Sequence, residues 1–235
     1  MSTQTDNPER HERILDAAAN LIVHYGFDKT TVSDIACEAG ISKGAIYLHF
    51  DSKDALFEGL LMREVGRYNT RWFELIEADP EGGLFSSLYK NVLIALNESD
   101  FMSAIFRRDT RILGSYLRKE DNLFKQMGGG AIRHEFMAMM QSAGAIRQDV
   151  DPQVMAHIMN MLAFGLVSMD DIIEPTTIPE TDAIIEGIAE MMDRMLTPED
   201  RVAASEAGKA VVRQLRAQVE NQVAQTNENN KETDA

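Results

Sequence analysis

The stretch Thr31 to Phe50, TVSDIACEAGISKGAIYLHF, constrains the fold of this chain more than any other. It divides at Gly40 into two short helical segments. Val32, Ile35, Ala36 and Ala39 recur at helical spacing and line one face of the first segment. Thr31 precedes that run, with Asp34 three residues on. In this arrangement a hydroxyl caps the free helix N–H groups, and an acid reaches back or favours the positive helix end. Gly40 follows the last periodic residue, where a left-handed residue ends a helix at least steric cost. Ser42 then caps the second segment. Ile41, Ile46 and Phe50 form a second apolar stripe that can pack on the first. Two helices joined by a turn containing glycine make a helix-turn-helix.

With Ile46 and Phe50 facing inward, Lys43, Gly44, Ala45, Tyr47, Leu48 and His49 are left for the outer face. Lys43 lies in the first turn, where a recognition helix enters the major groove of DNA. Gly44 and Ala45 are small enough for the backbone to approach base edges or sugar-phosphate. Tyr47 offers a hydroxyl and His49 a ring N–H to phosphate oxygens, although both residue types also serve as half-buried core. Asp51-Ser52-Lys53 starts a further helix, whose N–H groups and Lys53 suit one phosphate. The expected DNA-binding set is Thr31, Ser33, Ser42, Lys43, Gly44, Ala45, Tyr47, His49 and Lys53.

Further residues carry a resemblance. They are Ile14-Leu15-Asp16-Ala17-Ala18, Tyr25-Gly26-Phe27, Thr30-Thr31-Val32, Ile35-Ala36, Ala39-Gly40-Ile41-Ser42-Lys43-Gly44, Ile46-Tyr47, His49-Phe50 and Ser52-Lys53-Asp54-Ala55-Leu56. In order and density they resemble the N-terminal domain of the TetR (tetracycline-repressor-like) regulators, over residues 8–68. No such signature follows residue 68. The resemblance implies an all-α chain, with an N-terminal three-helix helix-turn-helix domain and a larger C-terminal helical ligand and dimerisation domain. It also implies two helices per subunit joined in a four-helix bundle around a two-fold axis. Asp51, acidic and close to the expected phosphate site, departs from the pattern.

Charge gives this reading no support. The chain carries a formal charge of −15, and its first 55 residues hold 5 Lys and Arg against 9 Asp and Glu. DNA binding therefore rests on placement, with Arg10, Arg13, Lys29, Lys43 and Lys53 near one face. Acidic bulk elsewhere would suppress non-specific binding by long-range repulsion. Cys37 is the only cysteine, so neither an intramolecular disulfide nor a cysteine-based zinc site is expected. That fits a reducing cytoplasm. The N-terminal residues lack the apolar run of a signal peptide. Residues 154–169 are too short to span a bilayer and contain His157 and Asn160. Gly128-Gly129-Gly130 is not followed by Lys-Ser or Lys-Thr, so it is not a phosphate loop. No hydrolase or zinc-protease motif is present, and His134 and His157 are not at a metal-binding spacing. No catalytic residue, metal, cofactor or membrane partner is expected.

Taken in order, a lead-in precedes a helix from Glu9 to Tyr25 whose core stripe includes Ile14, Leu15, Ala18, Leu21, Ile22 and Tyr25. A helix from Ser52 to about Glu77 belongs to two domains. Helices are expected over 84–97, 100–118, 120–143, 152–170 and 180–196. Asp151-Pro152 opens one of these with a cap and a first-turn proline. Arg107, Arg108 and Arg111 suggest a solvated basic face. The domains read as 8–68 for DNA, with the motif at 31–50, and 69–196 for ligand and dimerisation. An extra helix over 197–224 and a disordered tail over 225–235 follow. Typical relatives end near Leu196, so the resemblance does not account for that extension.

The middle helices are rich in Phe and Met, which adapt to apolar shapes. Trp72, Tyr89, Phe106, Tyr116, Phe124, Phe136 and Met140 are the candidate ligand pocket. Met155, Met159, Leu162, Leu166, Ile184, Ile188, Met191 and Met192 are the candidate dimer interface. The expected function is a homodimeric transcriptional repressor on a palindromic operator in double-stranded DNA, released by a small, largely apolar effector. The alternatives are an architectural or interaction protein without an inducer, and an enzyme.

Overall fold

In the computed structural model, residues 8–123, 132–169, 173–174 and 177–233 are described. Their longer regular elements are all helical. The first three helices are α1 (Pro8–Tyr25), α2 (Val32–Glu38) and α3 (Lys43–Tyr47). The capping box at the start of α2 is complete. Thr31 Oγ1 accepts the Asp34 N–H at 3.2 Å, and the Asp34 carboxylate accepts the Thr31 N–H at 2.9 Å. Ser42 Oγ accepts the Ala45 N–H at 3.2 Å, and Gly40 takes the left-handed conformation at φ +65°. Replacing Thr31 by Ala removes the hydroxyl side of this box and should cost about 1 kcal/mol. The check is a lower urea midpoint for Thr31→Ala, largely restored in Thr31→Ser.

The helix α4 (Lys53–Ala78) supplies Leu56, Phe57, Leu60 and Leu61 to the core formed with Ile14, Leu15, Ile22, Val32, Ile35, Ile46 and Phe50. Arg63 ties α4 to α1. Its guanidinium bonds Asp16 at 2.8 Å and Glu12 at 3.4 Å, as well as the neighbouring Glu64 at 2.7 Å. Tyr25, expected in the core stripe, is 56% exposed. It is the last residue of α1, and Gly26 at φ +86° turns the chain so that Phe27 enters the core instead.

The chain forms two compact units. The described residues through Asn69 join Leu96–Leu123 in the first, and Thr70–Ala95 joins the described residues from Ile132 onward in the second. Thus α4 contributes to both units, as does α5 (Phe85–Asn97).

The stretch 100–118 is not one helix. It breaks into α6 (Asp100–Arg107), α7 (Thr110–Leu113) and a 3-10 turn (Gly114–Arg118). Arg108 is left-handed at φ 52°, Asp109 caps α7 by accepting the Arg111 N–H at 2.8 Å, and Gly114 has φ +53°. Asp109 also pairs with Arg111 at 2.8 Å, so these arginines are not a simple basic face. Phe101, Leu113 and Tyr116 pack into the core of the first unit, whereas the sequence reading assigned this stretch to the ligand domain. The Phe27 N–H donates to the Ile112 carbonyl at 2.7 Å. The Ser115 hydroxyl and N–H both donate to Asp28, holding its carboxyl below the ordinary range.

The second unit contains the end of α4, most of α5, and α8 (His134–Ser142), α9 (Pro152–Ser168), α10 (Thr181–Leu196) and α11 (Arg201–Thr233). Asp151 caps α9 by accepting the Gln153 N–H at 2.8 Å. The Asn160 side chain accepts the Ile132 N–H at 3.0 Å and donates to its carbonyl at 2.7 Å, which holds the entry to α8 on α9. On α11 the buried residues are Ala204, Gly208, Val211 and Val212. Val202, in the first turn of α11, is 77% exposed. The backbone of α11 continues past residue 224 to Thr233, and after Gly208 no glycine or proline interrupts it. No described helix is long and apolar enough to cross a membrane.

Candidate nucleic-acid interface

The outer face of the helix-turn-helix follows from how little of α3 is buried. Ile46 is 1% exposed and anchors the helix, while Lys43, Gly44, Tyr47 and Leu48 are exposed. Ala45 is half-buried. The Lys43 ammonium lies 6.0 Å from the centre of the Tyr47 ring, at the outer limit of a cation–π contact. Ser33 is exposed on α2. The Thr31 hydroxyl is committed to Asp34. Ser42 uses an acceptor lone pair for its cap, which leaves its proton able to donate. Leu48, 66% exposed, was outside the expected set, yet an apolar side chain on this face can meet a thymine methyl.

Two members of the set are placed differently from expectation. His49 is half-buried, its ring 6.0 Å from that of His11 and 6.5 Å from that of Phe50. Lys53 donates to the Phe27 carbonyl, and its ammonium lies 4.0 Å from the centre of the Phe27 ring. Burial lowers its pKa. Lys53 therefore helps fasten α4 to the turn after α1, a long-range contact with no local sequence signal. The N-terminus of α4 is capped by Ser52, whose hydroxyl accepts the Ala55 N–H at 3.0 Å.

The expected ligand residues do not gather in one unit. Trp72, Tyr89, Phe136 and Met140 lie in the second. There the Trp72 ring is 6.4 Å from Phe136, and its N–H donates to the Leu88 carbonyl at 3.1 Å. The Tyr89 hydroxyl donates to the Met159 carbonyl at 2.5 Å, and Met140 is fully buried. Phe106 and Tyr116 belong to the first unit. Tyr116 is core there, with ring centres 4.7 Å from Phe57 and 5.8 Å from Phe27. Its hydroxyl donates to Glu58 at 3.0 Å, and burial pushes its pKa up to about 12. Phe124 lies outside the described residues, as does the triple glycine.

The expected dimer residues divide as well. Met155, Met159 and Met192 are 5%, 0% and 0% exposed, so they pack within the chain itself. Leu162, Leu166, Ile184 and Ile188 are half-buried, and Met191 is exposed. The open apolar positions on α9 are Val154, Ile158, Met161 and Phe164, and on α10 Met191 and Met195. Positions 154, 158 and 161 on α9, and 184, 188, 191 and 195 on α10, follow helical spacing and make one stripe on each helix. Among the described residues no group of three or more His, Cys, Asp or Glu is placed to hold a metal ion.

A capped helix-turn-helix on a three-helix core, with Lys43, Gly44, Tyr47 and Leu48 open on its outer face, is the arrangement of the helix-turn-helix class of DNA-binding proteins. Residues 14–60 match the family of bacterial regulatory proteins called tetR. The uncharacterised helix-turn-helix regulator YerO of Bacillus subtilis is 54% identical over 48 residues, 20% of this chain and 17% of that protein. The repressor KstR2 of Rhodococcus jostii is 26% identical over 151 residues, 62% of this chain and 72% of that protein. The fold is that of the regulator FadR of Bacillus subtilis, solved with stearoyl-CoA. That likeness has a TM-score of 0.56 at 18% identity and covers 77% of this chain and 96% of that one. Over residues 14–60 this chain is thus similar to the DNA-binding segment of the tetR family of bacterial regulatory proteins, and its fold is that of regulators of that kind.

Proposed function

We propose that the chain is a homodimeric transcriptional repressor. It binds a palindromic operator in double-stranded DNA and leaves it when a small apolar effector enters the second unit. The observation that carries this reading is the open face of α3, where Lys43, Gly44 and Tyr47 stand exposed on a helix anchored by Ile46. Repression is supported by the similarity to KstR2 of Rhodococcus jostii, a transcriptional repressor. An apolar effector is supported by the stearoyl-CoA bound to FadR and by the cluster of Trp72, Tyr89, Phe136 and Met140. Assembly is supported by the apolar stripes of α9 and α10, on which Val154, Ile158, Met161, Met191 and Met195 are exposed. In this reading 8–68 serves DNA, and the residues of 69–196 that lie in the second unit serve ligand and pairing. The stretch 96–123, packed with the DNA-binding residues, is a second covalent link between those roles beside α4. The protein acts in the cytoplasm and uses no cofactor.

An effector releases the operator only if it binds the DNA-incompetent arrangement better than the competent one. Helix α4 is the natural lever, because one continuous helix carries Leu56 to Leu61 at one end and Trp72 to Ile76 at the other. The test is operator binding at several salt concentrations. Lys43→Ala should flatten the salt dependence by about one unit of slope, as the loss of one phosphate contact requires. Lys53→Ala should flatten it less and lower the melting temperature more, because its ammonium is bound to the Phe27 carbonyl. Equal slopes in wild type and Lys43→Ala would remove α3 from the interface.

A further inference from the structure

Helix α11 builds a groove with the end of α4 and the turn that follows it, all within the second unit. Its volume is about 390 Å³, within the range of small-molecule sites. The floor is apolar: Phe73, Ile76 and Val212 line it at 9%, 8% and 7% exposure. The rim is basic. Lys209, Arg213 and Arg216, at helical spacing, put three cations along one side of α11.

The neighbouring acids are already engaged. Asp79 accepts the Ser87 hydroxyl, the Glu81 N–H at 2.9 Å and the Asn91 amide at 3.4 Å. Glu206 pairs with Lys209 at 3.0 Å, and Glu77 pairs with Arg216, whose guanidinium lies 5.5 Å from the centre of the Phe73 ring. Arg213 is exposed and has no ion-pair partner among the described residues. An apolar floor with one uncommitted guanidinium at its mouth suits a molecule with an apolar body and a single anionic head. A guanidinium bonds a carboxylate through two parallel N–H groups.

We propose that this groove binds an amphipathic monoanion, a carboxylate on a medium-length acyl or aryl body, at a site separate from the cluster of Trp72, Tyr89, Phe136 and Met140. An occupant that bridges α11 and α4 stabilises their packing, so it raises the melting temperature with concentration.

Decanoate and decanol, which differ in the anionic head, are the probes for calorimetric titration of the full-length protein. Decanoate should bind one molecule per chain and decanol more weakly. Arg213→Glu should weaken decanoate by about tenfold or more, the worth of a charged hydrogen bond, with decanol unaffected. Arg213→Lys, which keeps the charge but not the two-pronged fork, should fall between wild type and Arg213→Glu. Arg213 is exposed, so the helical circular dichroism of both variants should match wild type. Decanoate affinity unchanged in Arg213→Glu would overturn the site, as would no decanoate binding to wild type at millimolar concentration. Operator binding without decanoate, measured on the same preparations, tests the repressor reading separately, since a chain that fails to bind DNA can still show the Arg213-dependent titration.

Discussion

Met161→Asp should leave the protein monomeric, folded and unable to hold its operator. Met161 is 61% exposed in the middle of the α9 stripe, between Ile158 and Phe164. The α10 stripe of Ile184, Ile188, Met191 and Met195 lies in the same unit. A large apolar patch of this kind marks an interaction surface. In a two-fold dimer each substitution occurs twice, so two uncompensated carboxylates would be buried. Each is expected to cost on the order of several kcal/mol. Sedimentation should show the monomer, with helical circular dichroism unchanged, and Ile188→Asp should behave likewise. Met159→Asp should act differently. Met159 is 0% exposed within its own chain, so a carboxylate there should unfold the second unit rather than separate subunits. A dimeric Met161→Asp protein with normal operator affinity would move the interface elsewhere.

Gly208→Val should loosen α11. A Cβ at Gly208 would stand 2.0 Å from the Gly83 carbonyl oxygen, and one at Gly83 would stand 2.2 Å from that of Ser205. The obstruction is backbone, which cannot rotate away as a flexible side chain can. Overpacking of this kind costs about 3 kcal/mol. The melting temperature should fall, and amide exchange should quicken through 201–219. An unchanged midpoint would mean that α11 is not held by this contact. The same attachment should weaken in acid. Arg201 bonds Asp193 at 2.6 Å and Glu81 at 3.2 Å. Burial tends to raise the Asp193 pKa, but hydrogen bonds from Thr197, Arg201 and Ser86 outweigh it and hold the carboxyl below its ordinary 3.8. Its contribution is therefore complete above the ordinary carboxylate pKa and lost as the pH falls through the lower folded value.

The helix-turn-helix was legible because its signals are local. Thr31 and Asp34 are three residues apart, Gly40 ends one helix, and Ser42 starts the next. Contacts between distant residues left no such mark. Tyr116 reads as a pocket aromatic until it is found against Phe27 and Phe57, and Lys53 reads as a phosphate ligand until the Phe27 carbonyl is found beside it. On α9 the difficulty is different. Met155, Ile158, Met159, Met161, Leu162 and Phe164 surround the helix, so periodicity does not choose which side is buried. On α11 the closest approach is made by Gly208 and Gly83, whose lack of side chains brings two backbones together and leaves no apolar signal in the sequence.

Hydroxyl-radical footprinting on the DNA flanking the protein's own gene tests the central claim most directly. The account predicts two protected half-sites related by a palindrome, their centres about one helical turn, roughly 34 Å, apart. Protection should be lost in Met161→Asp. Uniform, weak coverage with no register, or one protected half-site bound equally well by Met161→Asp, would contradict it.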